Sequence, residues 1–330
     1  MIKKSKWSLL IVLLLFVKAA TAQLSWVNVD SLYQPLPSAV HIYYTETKLD
    51  TTPFRAYFLI ADLKNKNLDF SVDTTLNRRL TPTAFYERNN KPVAVVNCTF
   101  FSFATNRNLN AVIKNGKLVA YNQHNIAGKG KDTLTYRHPF VSALGISKKR
   151  NADIAWLYTD SAMKFAYARP LPIAPKKDSI SHFNLLAAKN YNQSVFDSEK
   201  GGVIDFKKWK MKTAVGGGPV LVQNGQVRIS NNEEMKFSGK AINDKHPRTA
   251  MGYTTDGKLI ILVIEGRSKN AGGATLVQEA QILKDLGCWE ALNLDGGGSS
   301  CLLVNGKQTI KVSDAGQRPV PAVFVIKSLK

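Results

Sequence analysis

The chain has 330 residues, with 45 lysines and arginines against 24 acids and a formal charge of +21. That length is ample for one large domain or two smaller ones, and the basic balance points to phosphate-bearing glycans, acidic polysaccharide or an anionic membrane surface. No arginine-rich arm, helix-turn-helix or zinc-finger spacing accompanies the charge, which argues against nucleic acid.

In chain order, Lys3, Lys4 and Lys6 precede an apolar run from Trp7 to Val17, and Ala20-Thr21-Ala22 supplies small residues before Gln23. This is the pattern of a secretory signal peptide over residues 1–22, too short in its apolar part to span a bilayer. Its removal takes four lysines and lowers the charge from +21 to +17. The expected location is secreted or periplasmic, with no transmembrane segment.

Residues 23–80 read as a strand-rich segment packed on the main domain, with Phe54 to Ala61 its best strand. Residues 81–330 form the main domain. Thr81-Pro82 opens a short helix, with proline in the first turn. Val93 to Asn97 is apolar and β-branched, a buried strand running into Cys98-Thr99-Phe100-Phe101. Asn115-Gly116, Asn224-Gly225, Asp256-Gly257 and Asn305-Gly306 each sit between β-prone residues and mark hairpins. Residues 147–212 are lysine-rich, contain Pro170, Pro172 and Pro175, and read as a peripheral insertion. Thr275 and Gln278 form a capping box, Leu276, Ala280, Leu283 and Leu286 recur at helical spacing, and Gly287 ends the helix. The fold class is α+β: largely antiparallel or mixed sheet with several hairpins and flanking helices.

The stretch with the greatest density of unusual residues is Asn293-Leu294-Asp295-Gly296-Gly297-Gly298-Ser299-Ser300, between a buried strand and another from Cys301 to Val304. Glycines let a ligand approach the backbone, and successive amides can form an anion-binding concavity. It is not a Walker loop, because no Gly-Lys-Ser/Thr leads into a helix. Nor is it a serine-hydrolase elbow, because Cys301 stands where the second glycine belongs. The bland alternative is a tight turn capped by Asp295. Direct pairing of the flanking strands would set Leu294 opposite Cys301 and keep Cys288 away from it. The three cysteines are not a disulfide framework, although a bridge between Cys98 and Cys301 stays open. No CxxC, HExxH or histidine cluster points to zinc.

Three more stretches stand out: Val215-Gly216-Gly217-Gly218-Pro219, His246-Pro247-Arg248-Thr249-Ala250-Met251-Gly252, and Glu265-Gly266-Arg267 at the end of the strand Ile260 to Ile264. With Asn97 and Phe101, the glycine loop, and Arg318-Pro319-Val320-Pro321-Ala322, they resemble the phosphodiester glycosidase family in the same order, from Thr81 to Ile326. The resemblance implies hydrolysis of the bond between an anomeric carbon and a phosphodiester. Asp295 is the first choice for the catalytic carboxylate and Glu265 the second. Arg248 would clamp phosphate with its planar fork. Gly217, Gly218, Gly296, Gly297, Gly298 and Ser299 would supply loop contacts, and Asn97 and Thr249 would orient oxygens. Arg267 is a second phosphate contact or a partner of Glu265.

Such a site needs less general acid than ordinary glycosidases do, because a phosphate monoester leaves readily. Asp295 beside carbonyl-rich loops is alternatively a Ca²⁺ ligand; no other cofactor is implied. His246 reads as a loop residue, and Phe100-Phe101 as core, with one ring alternatively a platform for a sugar. Cys98 and Thr99 stand where the family commonly has glycine, and Cys301 where it has threonine, so a narrowed pocket is expected. The competing readings are a glycosidase or phosphodiesterase acting on envelope or host polysaccharide, and a glycan-binding protein without turnover.

Overall fold

The computed structural model describes residues 24–162, 164–182 and 206–329. The expected signal peptide lies outside them, as does the end of the lysine-rich segment. Every strand pairing among the described residues is antiparallel.

Three large sheets enclose the main core. An eight-stranded sheet contains Val40–Leu49, Thr52–Asp62, Lys258–Ile264, Arg248–Tyr253, Glu290–Asn293 and Val220–Gln223 as successive neighbours. A seven-stranded sheet is centred on Ala152–Tyr158, Val141–Ile146 and Thr213–Gly216. A five-stranded sheet contains Leu302–Val304, Ala94–Asn97, Ala322–Ser328 and Leu68–Thr74.

The strand Lys258–Ile264 shows why its sequence is apolar throughout. Successive side chains point to opposite faces. Leu259, Ile261 and Val263 enter the core shared with Trp156, Leu144, Val96 and Phe324. Ile260, Leu262 and Ile264 enter a second core. That core is roofed by the helix Leu276–Asp285, whose Leu276, Ala280 and Leu283 are buried. Each such side chain contributes roughly 1.5–3 kcal/mol when fully buried. The capping box forms as expected: Thr275 Oγ1 accepts from Gln278 N at 3.2 Å, and Gln278 Oε1 accepts from Thr275 N at 3.0 Å. The helix Pro82–Arg88, capped by Thr81, places Phe85 on the outer face of the five-stranded sheet.

All four predicted hairpins are present, joining Val112–Lys114 to Lys117–Ala120, Val220–Gln223 to Gln226–Val227, Arg248–Tyr253 to Lys258–Ile264, and Leu302–Val304 to Lys307–Gln308. Asn115, Asn224 and Asn305 take φ values of 52°, 52° and 47°, as the two-residue turn demands. The fold is β-rich and its helices are few, so the flanking helices are a smaller part than the α+β class implies, and no parallel pair appears. Residues 147–212 also reach further inward than a peripheral insertion would. Their strand Ala152–Tyr158 lies inside the seven-stranded sheet and buries Trp156 and Tyr158.

The strands either side of the glycine loop do not pair. Glu290–Asn293 belongs to the eight-stranded sheet and Leu302–Val304 to the five-stranded one, so the loop crosses between sheets. Cys98, Cys288 and Cys301 are all buried and free, and no Cys98–Cys301 bridge exists. Among the described residues no helix is long and apolar enough to cross a membrane.

Candidate active site

The crossing of the glycine loop creates the site. At its base, Asp295 N donates to Cys98 O at 2.8 Å, and Asn97 Nδ2 donates to Asp295 O at 2.5 Å. Asn97 Oδ1 accepts from the Thr249 hydroxyl and from Cys301 N, both at 3.0 Å. Ser300 Oγ lies 3.2 Å from the same Thr249 hydroxyl. The structure therefore brings Asn97, Thr249 and Asp295 together, but Asn97 and Thr249 spend their polar atoms fixing the loop. They position the carboxylate.

The loop amides are spent as well. Gly297 N donates to Pro247 O, Ser299 N to Gly296 O and Ser300 N to Gly297 O. The Gly296 amide and the Ser299 side chain bond the Asp295 carboxyl. Gly217 N and Gly218 N donate to Ser142 O and Asn293 O. The anion-binding concavity expected from these glycines is thus built around the protein's own carboxylate and carbonyls. Asp295 is half-buried, and protein packs densely around its carboxyl. Desolvation disfavours the charged form, and burial pushes its pKa up to about 7 against the opposing pull of Ser299, Arg318 and Lys236.

Two cations, Lys236 and Arg318, act on this carboxyl, and a third, Arg267, lies beside Gly297 of the same loop; the sequence reading assigned a site role to Arg267 alone. Lys236 Nζ lies 4.6 Å from the centroid of the Phe100 ring, which puts Phe100 beside this cation. Phe101, by contrast, is core, as expected. Burial lowers the Lys236 pKa to about 8, while Glu234 and Asp295 act to raise it. Glu234, whose charge acts on Lys236, is a buried hub whose carboxylate accepts from Ser142 N and Oγ, Trp156 Nε1, Val220 N and Ser230 Oγ. Gly218, at φ +112°, makes room for this pair: a Cβ there would lie 2.3 Å from Glu234 Oε2 and 2.7 Å from Lys236 Cε.

Arg318 holds Asp314 at 2.7 Å and reaches Ser299 Oγ at 3.4 Å. Gly298 permits that approach, since a side chain there would collide with Arg318 and Asp314. Arg267 is exposed and lies beside Gly297, with His246 Nδ1 3.4 Å from its Nη2. His246, outside the named strands, is the loop residue expected.

Arg248 and Glu265 are placed elsewhere. Thr249 faces the loop, so strand alternation turns Arg248 to the other face. There its Nε donates to Ala274 O at 3.0 Å and its Nη2 to Asp244 O at 3.1 Å. It is 3% exposed and stacks against Phe237. Its nearest carboxyl influence is Glu279 on the helix, pushed up to about 8 by burial. Two of the Arg248 donors thus tie its strand to the segments at Asp244 and Ala274, while Arg267 and His246 lie within range of its charge. Arg248→Met is expected to cost about 3 kcal/mol or more, on the scale of two charge-assisted hydrogen bonds, read as a lower urea midpoint at unchanged slope. An unaltered midpoint with lost phosphate affinity would restore the clamp role.

Glu265 Oε2 accepts from Lys311 N at 3.0 Å, fastening the 309–312 segment, and makes no hydrogen bond to the glycine loop. It does not partner Arg267. Cys98 and Thr99, expected to narrow the pocket, are each 1% exposed, and the Thr99 hydroxyl is held by Asn108. Among the described residues no three His, Cys, Asp or Glu side chains gather as a metal would need. No sequence signal singled out Lys236, which follows a short helix, and Arg318 drew notice only as part of the closing strand.

A family model described as phosphodiester glycosidase matches residues 90–327. The uncharacterized prophage-derived protein YomE of Bacillus subtilis is 42% identical over 85 residues, covering 26% of this chain and 13% of its own length. Mouse N-acetylglucosamine-1-phosphodiester alpha-N-acetylglucosaminidase is 29% identical over 102 residues, covering 28% of this chain and 20% of the relative. The matched segments are thus a fifth or less of those relatives. In structure, the catalytic domain of the zebrafish enzyme of that name, auto-inhibited by its pro-peptide, superposes with a TM-score of 0.57. That superposition has 18% identity and covers 93% of this chain and 89% of that one, a likeness of fold. The family match spans most of the sequence and takes in every stretch that builds the cleft, and the chain belongs to the phosphodiester glycosidase family.

Proposed function

We propose that the chain hydrolyses the bond between a sugar's anomeric carbon and the oxygen of a phosphodiester, on a phosphorylated glycan or related conjugate. The observation that carries this reading is one half-buried carboxylate, Asp295, under the charges of Lys236 and Arg318, with Arg267 beside Gly297 of the same loop. A site with that charge excess attracts an anion, and preorganised cations stabilise charge that develops on the leaving oxygen. Lys236 and Arg267 hold the phosphate; Arg318 is already engaged by Asp314 and positions Ser299.

In the reaction, water adds to the anomeric carbon and yields its proton to the Asp295 carboxylate. The carbon–oxygen bond breaks, and the phosphate monoester departs with the bonding pair. A group with a pKa near neutrality is well matched to this general-base task. Ordinary glycosidases flank the bond with two carboxyl groups. Here Glu265 is tied to Lys311 and the second acid at the loop, Asp314, is ion-paired, so one carboxylate serves because phosphate leaves without protonation. Glu265 supports the site by positioning.

The purified protein is expected to release N-acetylglucosamine from UDP-N-acetylglucosamine used as a surrogate, followed by chromatography of the free sugar. Absence of turnover on this and on other sugar phosphodiesters, with ligand binding retained, would make it a binding protein.

We further propose export, from the pattern in residues 1–22. Mass spectrometry of protein recovered from periplasm or medium is expected to give a chain starting at Gln23. Material retaining Met1 would refute cleavage.

A further inference from the structure

A second charged feature lies at the other end of the strand Thr213–Gly216 from the catalytic loop. The Gly216 end leads into Gly217 and Gly218; the Thr213 end adjoins a groove of about 580 Å³ between the Asn115-Gly116 turn, the 147–149 turn and residues 164–166 and 208–211. Lys148, Lys149, Lys164, Lys208 and Lys210 line it, and no acid does. All five lysines are exposed, and among the described residues none has an ion-pair partner. The neighbouring Lys212, by contrast, is neutralised by Asp69.

The aromatic residues of the groove are already occupied. The Trp209 indole lies against the backbone at Gly145, where a Cβ would approach its ring to 2.6 Å, and its Nε1 donates to Asp153 at 2.6 Å. Lys208 Nζ sits 3.4 Å from the Phe165 ring centroid.

We propose that this groove binds a strand of anionic polysaccharide, separately from the catalytic site. Like charges concentrated around a concave surface raise the local potential and favour a polyanion. Single-stranded nucleic acid is bound through open aromatic faces on which bases stack, and here Trp209 is covered and a lysine sits on Phe165. A bilayer surface is bound by a lysine-bearing face that also inserts apolar side chains, whereas the apolar members of this groove, Ile113, Leu118 and Met211, are buried or half-buried. A recessed channel rimmed by exposed ammonium groups instead suits sulfate, phosphate or uronate groups spaced along a sugar chain. The ligand is recognised by its charges and by fitting the channel.

The test uses the full chain and fluorescently labelled dextran sulfate and polygalacturonate, with neutral dextran as control, followed by anisotropy at about 0.15 M salt, where bulk attraction is screened beyond ~8 Å. Lys148→Ser/Lys149→Ser/Lys208→Ser is expected to weaken polyanion binding about tenfold and flatten its salt dependence, on the counterion-release scale of about one unit of slope per contact. Lys66→Ser/Lys129→Ser/Lys269→Ser removes equal charge elsewhere and is expected to leave binding within about twofold. Asp295→Asn should bind these polymers as wild type does, which separates this site from the catalytic proposal. Equal weakening in both lysine variants, absence of polyanion binding, or tighter binding to phosphatidylserine vesicles or a single-stranded oligonucleotide would overturn the proposal.

Discussion

Asp295→Asn is expected to fold normally and to lose on the order of a hundredfold or more in kcat, the scale set by removing one general base or electrostatic stabiliser. Folding does not need the charge. The loop is fixed by backbone bonds to Cys98, Asn97 and Pro247, none of which uses the carboxylate. The charge in fact opposes folding. Its pKa is raised to about 7 in the folded chain from a reference value of 3.8, so between those values the native state binds more protons than the unfolded one. Stability from this group is therefore complete below the unfolded value and lost as pH rises through about 7. The asparagine variant should melt at the wild-type temperature or above it at pH 8, and binding of a sugar phosphate should be retained. If Asp295 instead held Ca²⁺, added Ca²⁺ would raise the wild-type melting temperature and leave the variant unmoved. Near-normal turnover in the folded variant would remove Asp295 from the mechanism.

Lys236→Met is expected to lower kcat/KM by roughly tenfold to a hundredfold, the loss of one charged hydrogen-bonding contact to phosphate. The pH profile separates this role from a packing role. Wild-type activity should rise through about 7 as Asp295 ionises and fall through about 8 as Lys236 loses its proton, a narrow bell carried by the interacting pair. Without the ammonium, Asp295 loses one of the influences that lower its pKa, so the acid limb moves upward and the alkaline limb near 8 disappears. The ammonium is itself held below its ordinary value by burial, so its removal should not cost stability at alkaline pH. A profile and kcat/KM identical to wild type would exclude Lys236 from the reaction.

Much of the architecture is legible in local sequence, because local chemistry dictates it. Asn-Gly pairs form two-residue turns wherever the flanks pair, and all three Asn-Gly turns formed with asparagine in the left-handed region. Thr275 and Gln278 cap their helix by contacts confined to one turn. The apolar run Leu259 to Ile264 announces a strand covered on both faces. The glycine loop marks the site because its backbone must cross from one sheet to another beneath a carboxylate.

What sequence could not assign is which side chain faces whom. Arg248 and Thr249 are adjacent in the same unusual stretch, yet a period of two sends one behind the sheet and the other to Asn97. Glu265 shares a stretch with Arg267, but only the arginine reaches the loop. Lys236 and Asp295 lie within range of each other's charge although 59 positions apart, beside a Glu234 whose partners Ser142 and Trp156 are more distant still in the chain. Residue types and turns are properties of a few neighbouring residues and can be read there. The facing of a side chain depends on register and sheet order, and its pKa on the protein packed around it. Sequence by itself determined the hairpins, the capped helix and the acidic loop; only the tertiary structure brought the charges of Lys236 and Arg318 to bear on Asp295 and set Arg267 beside Gly297, because register and sheet order fix which side chains meet.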